Sequence, residues 1–165
     1  MMTILWEELT AGLTNQGNFL RLIIRLFAAI LLGGLIGLQR EKAGKAAGLR
    51  THTLVCLGTT VVLLSCSAAS ISLEGDSRVI QGILTGIGFI GAGSILKLSE
   101  EHLIRGLTTS ASIWTTAAVG IAVGLGRVGI ALIATMLTVF ISPLPARWNA
   151  EWKSANGSNR VEVAF

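Results

Sequence analysis

Charged side chains are scarce in this sequence, at 13% of its 165 residues, whereas an ordinary soluble domain carries about 25%. Hydrophobic residues make up 52%, and the mean hydropathy is +0.70. This deficit argues against a soluble fold. The net charge of +4 comes from 13 lysines and arginines, but these lie between apolar runs and form no continuous basic face. We therefore expect no nucleic-acid partner.

Cysteine and histidine are too few to indicate redox or metal chemistry. Cys56 and Cys66 are ten residues apart in one apolar run. On a helix that spacing places them about 15 Å apart along the axis and on different faces, which excludes a disulfide between them. His52 and His102 are distant in sequence. No nucleophile and base arrangement, phosphate-binding loop or metal-protease motif is present, so we expect neither an enzyme nor a cofactor.

Five apolar runs predict an all-α, polytopic membrane bundle with five transmembrane helices. The runs cover residues 19–38, 53 to about 73, 79–98, 107 to about 125, and 128–141. About 20 helical residues span the hydrocarbon of a bilayer, roughly 30 Å. The last run is shorter and ends before two prolines. We expect an interfacial lead-in at 1–18, the transmembrane domain at 19–145 and a cytoplasmic tail at 146–165.

Small residues four positions apart predict close packing of helices, because they let backbones approach in a membrane. The glycines expected to do so are Gly33, Gly37, Gly82, Gly86, Gly88, Gly120 and Gly124. In the fourth run, Gly120 and Gly124 extend a ladder of small residues at every fourth position that begins with Thr108, Ser112 and Thr116. The pattern leaves open whether these faces pack within one chain or between copies in a homo-oligomer.

Basic residues divide unequally between the two sides that five crossings define. With the loop after the first run in the cytoplasm, nine lie inside and four outside. The inside group is Arg40, Lys42, Lys45, Arg50, Lys97, Arg105, Arg147, Lys153 and Arg160, and the outside group is Arg21, Arg25, Arg78 and Arg127. The positive-inside rule then predicts an external N-terminus and a cytoplasmic C-terminus.

Asp76 is the leading candidate for a functional carboxylate. One interpretation makes it the N-cap of the third helix. The other turns it inward to pair with Arg25 or Arg78, at an outward-facing site for a cation or proton. Gln81, deeper in the same run, either extends that polar path or joins helices by hydrogen bonds. Arg25 itself either snorkels to the headgroups or faces the bundle.

A second polar group follows the first run. Its members are Arg40, Glu41, Arg50, Thr51 and His52. In one interpretation the cations set the topology and Thr51 caps the second helix. In the other, Arg40, Arg50 and His52 bind an anionic lipid headgroup or a carboxylate of a partner. No metal site is expected among these residues, and Mg²⁺, which prefers carboxylates and water, would have Asp76 as its ligand.

Three segments resemble signature blocks of the MgtC/SapB family of bacterial membrane proteins, over roughly residues 21–142. They read RLFAAILLGGLIGLQREKAGKAAGLRTHTLVCLG, DSRVIQGILTGIGFIGAGSIL and GLTTSASIWTTAAVGIAVGLG. The polar signature of the family falls on Arg25, Arg40, Glu41, Arg50, Thr51, His52, Asp76, Arg78, Gln81, Thr108, Thr109 and Trp114. Gln39 stands where many relatives have an acid. Longer members carry a soluble ACT-like domain, of which we expect only a strand-like end at 160–165 in this sequence.

The resemblance implies a five-helix domain of the bacterial inner membrane, tied to growth under magnesium limitation and to survival in acid. We expect a non-enzymatic factor that contacts the lipid bilayer and other membrane proteins, such as ATP synthase or a Mg²⁺ transporter. The alternative is direct transport of Mg²⁺ or another ion. A transporter needs a polar path from Asp76 to the basic loop, whereas a modulator can be solid inside.

Overall fold

The computed structural model describes residues 1–2, 16–68, 73–98, 103–143 and 163–164. Five helices are bounded within them: α1 (Gln16–Lys42), α2 (Leu49–Ala68), α3 (Leu73–Gly93), α4 (Leu107–Gly124) and α5 (Val128–Ile141). Three short strands accompany them: β1 (Leu96–Leu98), β2 (Leu103–Arg105) and β3 (Val163–Ala164). The fold is all-α in class, as predicted, with one small sheet beside the helices.

Helix α4 is the centre of the bundle, since ten of its 18 residues are buried. It runs antiparallel to α1 and parallel to α2, as the contacts of its two ends with those helices require. The main hydrophobic cluster joins α1, α2, α4 and α5. It consists of Ala29, Leu32, Ile36, Cys56, Val119, Val123 and Ala131. Alanine and cysteine supply three of its seven residues, and at these positions the helices can lie close together.

Helix α3 packs on α4 along one side only. Its buried residues are Ile87 and Gly91. Ile87 belongs to a second cluster with Ala47, Ile113 and Ala117, and an added Cβ at Gly91 would lie in ordinary contact with Ser110. Ile83 also packs against this cluster, and most of the other residues of α3 are exposed within the described part of the chain.

The predicted third span, 79–98, ends early in the structure. Helix α3 stops at Gly93, where Ser94 N donates to Gly91 O and Ile95 N to Ala92 O, both across three residues. Ser94 Oγ also donates to Gly91 O, at 2.8 Å, which takes up a carbonyl at the helix end. Residues 96–98 then form β1, so the prediction of a helix to residue 98 is wrong.

The three strands form a sheet of order β1-β2-β3. Strands β1 and β2 make an antiparallel hairpin with Leu96 opposite Arg105. Strand β3 pairs parallel to β2, with Ile104 opposite Val163. The sheet thus joins the end of α3, the start of α4 and a segment from the end of the sequence.

Length and composition single out α1, α2 and α4 as helices able to cross a membrane, over Gly17–Lys42, Leu49–Ser67 and Leu107–Gly124. Helix α5 is apolar but has only 14 residues, and its bounds are the predicted ones. Helix α1 begins at Gln16, ahead of the predicted boundary at 19. Most of the predicted lead-in and tail, residues 3–15 and 146–162, lies outside the described residues.

Candidate functional site

Glycines bring α1 and α2 into backbone contact. A Cβ added at Gly33 would lie 2.7 Å from Cys56 Cβ. One added at Gly37 would lie 2.7 Å from Leu49 Cα. Real Cβ atoms do not approach this closely, so a side chain at either position would push the two helices apart.

The contact between α2 and α4 is of the same kind. A Cβ at Gly120 would collide with Thr59 Oγ1 and the carbonyl oxygen of Cys56. One at Gly124 would lie 2.6 Å from Leu63 Cβ. The close α1–α2 contact and the close α2–α4 contact together form a seam that is closed by backbone atoms. Helix α2 lies in the middle and takes part in both contacts.

Three glycines of α3 are placed differently. Around Gly82, Gly86 and Gly88 no atom of the described residues lies within 4 Å of an added Cβ. The expectation that another helix packs there does not hold within the described part of this chain. The reason is that α3 meets α4 at Ile87 and Gly91, on a different side of the helix from Gly82 and Gly86, while Gly88 lines an open groove between the two helices.

Arg40 is the most unusual side chain of the bundle, because it is charged and only 1% exposed. Its Nη2 donates to Thr109 Oγ1 at 3.1 Å. Its Nε is buried without an acceptor, and the neighbouring Gln39 Oε1 is buried without a donor. Among the described residues, no carboxylate forms an ion pair with Arg40.

An unpaired buried charge costs several kcal/mol even after the protein relaxes. Arg40 lies in the last turn of α1. The negative end of a helix dipole stabilises a cation by about 0.3–2 kcal/mol. One neutral hydroxyl acceptor adds little to that. The surroundings of Arg40 in the described structure therefore compensate its charge only in part.

His52 continues this polar group into α2. The ring is fully buried, with Nδ1 at 2.9 Å from Gly48 O and Nε2 at 3.1 Å from Ser112 Oγ. A carbonyl only accepts, so Nδ1 carries a hydrogen. Ser112 Oγ also lies 2.9 Å from Thr109 O. The Ser112 hydroxyl has one hydrogen, which it donates either to His52 Nε2 or to Thr109 O. If it donates to Thr109 O, His52 Nε2 must carry a hydrogen and donate to Ser112 Oγ.

We call Arg40, His52, Thr109 and Ser112 the Arg40–His52 network. Its bonds join the end of α1, the start of α2 and the first turns of α4. The sequence predictions included all of these except Ser112. The signal for Ser112 was its place on the four-residue ladder of α4, which was interpreted as packing alone.

The side chain of Glu41 caps the start of α2 and is not part of the network. Its Oε2 accepts from Leu49 N at 2.9 Å, which satisfies a free donor at the start of that helix. Because α2 begins at Leu49, the prediction that Thr51 caps it is wrong. Arg50 is exposed, and it forms no hydrogen bond with the network in the described structure. The predicted cluster of five is therefore divided.

Arg25 neither pairs with an acid nor reaches outward among the described residues. Its Nη1 donates to Gly124 O at 3.0 Å, at the last residue of α4. Gly126, with a φ of 77°, lies against the same guanidinium, and a Cβ there would meet Arg25 Nη2. Arg25 thus caps the negative end of α4, which favours a cation.

Asp76 lies in the first turn of α3, three residues after its start at Leu73, so the N-cap prediction is wrong. It is half-buried. Within the described residues it forms no ion pair with Arg25 or Arg78. Arg78 and Gln81 are exposed on α3. The predicted inward path at this end is thus absent from the described part of the chain.

Two further predicted residues lie on α4. Thr108 is partly buried in the first turn, next to Thr109. Trp114 is 48% exposed, beside the apolar groove that α3 and α4 form around Gly88 and Ala92. No hydrogen-bond partner for its indole occurs among the described residues. Trp114 is thus not part of the Arg40–His52 network.

The described residues contain no group of three side chains with metal-ligating atoms. The first turn of α3 offers Glu74 and Asp76, but residues two apart on a helix do not face each other. These residues therefore do not fit a dedicated Mg²⁺ site. The chemistry that the Arg40–His52 network favours is the binding of a negative group.

A family model described as "MgtC family" matches residues 26–148. That match covers α1 from Leu26 onward, all of α2 to α5 and the β1–β2 hairpin. The chain belongs to the MgtC family. Together with its apolar helices, this makes it a membrane protein of the MgtC type, as the sequence blocks predicted.

Named relatives agree with this assignment. Protein SrpB of Synechococcus elongatus is 41% identical over 139 residues, which are 75% of this chain and 74% of SrpB. Escherichia coli K12 YhiD, named "Putative magnesium transporter YhiD", is 39% identical over 126 residues, 72% of this chain and 58% of YhiD. Salmonella typhimurium LT2 Protein MgtC is 39% identical over 142 residues, 84% of this chain and 60% of MgtC.

The matched region thus spans about three-fifths of YhiD and MgtC. No solved structure gives a significant match to this chain.

Proposed function

We propose that this MgtC-family protein is a non-enzymatic, multi-pass protein of the bacterial inner membrane that modulates other membrane proteins during magnesium limitation or acid stress. The observation that carries the proposal is the contrast between two sets of glycines. Gly33, Gly37, Gly120 and Gly124 are in close contact inside the bundle, whereas no described atom lies within 4 Å of a Cβ added at Gly82, Gly86 or Gly88. A closed interior beside a bare small-residue face suits a protein that acts by contact with other helices.

Five crossings with an external N-terminus fit the arrangement of the helices. Arg25 contacts the last residue of α4 and Arg40 its first turn, so the two ends of α1 lie at opposite ends of the bundle. The end that holds Arg40 is also the more basic one within the described residues. By the positive-inside rule, that end belongs in the cytoplasm.

The alternative is direct transport of Mg²⁺ or another ion. It is favoured by the name of YhiD and by an open groove on α3 lined by Glu74, Ser77, Arg78 and Gln81. Against it, Asp76 lies at the opposite end of the bundle from Arg40, and the α1–α2–α4 seam is closed by backbone contact. A hydrated ion would need that seam to open.

Ion flux separates the two proposals. Purified protein is reconstituted in liposomes, and Mg²⁺ uptake is followed with an enclosed fluorescent indicator, for the wild type and Asp76→Asn. We expect no uptake above that of empty liposomes. Saturable uptake that Asp76→Asn abolishes would overturn modulation in favour of transport.

Co-reconstitution tests modulation itself. F-type ATP synthase is placed in liposomes with this protein, and ATP-driven proton pumping is measured. We expect the wild type to change the pumping rate and Gly86→Leu to remove that change. Gly58→Leu is the matched control, since Gly58 on α2 also has open space around an added Cβ. Equal effects of the two variants, or no effect of the wild type, would contradict this partner and this face.

A further inference from the structure

In the first turn of α4, two backbone donors have no acceptor among the described residues. Its N-cap, Gly106, has a φ of 95° and provides no side-chain cap. For the N–H groups of Leu107 and Thr108, no acceptor occurs among the described residues. Free N–H groups and the positive end of the dipole together favour an anion at such a position.

A second, independent feature points at the same turn. The guanidinium of Arg40 contacts Thr109, the third residue of α4, through Nη2. Its Nε is buried and has no acceptor. A cation placed at the positive end of a helix is repelled by the dipole, so Arg40 and α4 destabilise each other unless a negative group lies between them. None of the described residues supplies one.

The turn is also within reach from outside the bundle. Leu107 is 39% exposed and Arg105, just before the N-cap, is exposed. Glu41, which follows Arg40 in sequence, is already bonded to Leu49 N. An anion approaching Leu107 and Thr108 would thus meet an uncompensated positive region with Arg40 at its base.

The number of donors selects the class of anion. Two backbone N–H groups and the Thr108 hydroxyl of the first turn of α4, together with Nε of the guanidinium that contacts Thr109, make four donors for which no acceptor occurs among the described residues. A carboxylate has two oxygens, whereas a phosphate group offers three or four and pairs well with guanidinium. A tetrahedral oxyanion therefore satisfies this set more fully.

We propose that the start of α4 and Arg40 form a binding site for a phosphate group. The group belongs either to free inorganic phosphate or to a phospholipid headgroup. The site is separate from the bare face of α3, so it does not depend on the proposed modulation of other membrane proteins.

The test uses the full chain, labelled with ¹⁵N, in maltoside micelles and phosphate-free buffer. One arm titrates inorganic phosphate, and the other titrates phosphatidic acid into the micelles. Both follow the amide resonances of Leu107 and Thr108, with Gly129 as a distant reference. We expect saturable shifts at the two α4 amides. Shifts with phosphate identify the free ion as a ligand, and shifts with the lipid alone identify the headgroup.

Arg40→Gln should weaken this binding by about tenfold or more, as expected for loss of a charged hydrogen bond. Lys42→Gln is the matched control, because Lys42 is an exposed cation in the same last turn of α1. It should change the affinity by less than about twofold. If Arg40→Gln does not fold, Arg40→Lys replaces it, with the same comparison.

Two outcomes would overturn the proposal. The first is no saturable shift of the Leu107 and Thr108 amides with either probe in the wild type. The second is equal weakening by the Arg40 and Lys42 variants, because that pattern reports general surface charge rather than a site.

Discussion

Replacing Gly120 with alanine tests the closeness of α2 and α4. The added Cβ would meet Thr59 Oγ1 and the carbonyl oxygen of Cys56. Thr59 Oγ1 is held at 3.0 Å from the carbonyl oxygens of both Val55 and Cys56, so it has little freedom to turn away. The Cys56 oxygen is part of the backbone of α2. Relief therefore requires the two helices to separate.

The magnitude follows from three effects. Overpacking of a dense contact costs about 1–3 kcal/mol. Separation also stretches the bond from Thr60 Oγ1 to Gly120 O, now 2.8 Å long, and a bond of this kind contributes about 0.5–1.5 kcal/mol. Alanine recovers about 1 kcal/mol through its higher helix propensity. We expect Gly120→Ala to lower the free energy of unfolding by roughly 0.5–3.5 kcal/mol.

The measurement is unfolding in mixed micelles of rising SDS fraction, followed by the fluorescence of the four tryptophans. Gly86→Ala is the control, because open space surrounds its added Cβ. That variant should stay within about 1 kcal/mol of the wild type or gain stability. If Gly120→Ala unfolds at the same SDS fraction as Gly86→Ala, the closed seam between α2 and α4 is refuted.

Two further substitutions test the polar contacts. Ser112→Ala removes the partner of buried His52 Nε2 and should lower stability by about 1–3 kcal/mol, whereas Ser65→Ala, whose exposed hydroxyl bonds within its own helix, should change it by less than about 0.5 kcal/mol. Equal losses would contradict the bond to His52. Arg25→Met removes a charged donor to Gly124 O and should cost about 1.5–3 kcal/mol in the same assay. Arg21→Met, one turn earlier and exposed, should leave unfolding unchanged, and a matching loss there would refute the capping of α4.

The sequence predicted the helices better than their ends. Helix α5 has the predicted bounds because its apolar run is limited on both sides. Gly126, with a φ of 77°, forms the turn before it, and Pro143 follows its end. Helix α3 does not, because Ile95 and the residues after it are as compatible with a strand as with a helix. Apolar character alone does not separate these states over a few residues. The stop depends on the Ser94 and Gly91 contact, which no sequence pattern displays.

Glycine spacing indicates that a helix can approach a neighbour, but it does not name the neighbour. The pair Gly33 and Gly37 and the pair Gly82 and Gly86 look the same in sequence. In the structure the first pair lies against α2, and the second has open space. The difference comes from the position of α3 at the edge of the bundle, where α4 takes one side only.

Arg40 differs from its basic neighbours for a reason that helical periodicity explains. Counting back from it by three or four residues gives Ile36, Gly33 and Ala29, all on the buried face of α1. Lys42, two positions on, turns away from that face and is exposed. The positive-inside rule counts Arg40 and Lys42 equally, although only Lys42 is an exposed cation of the kind that the rule describes. A cation in register with a buried stripe is too costly to serve as a topology signal alone, and this one meets the uncapped start of another helix. Register, rather than the number of charges, therefore identifies Arg40 as the residue around which a ligand for this end of the bundle is to be sought.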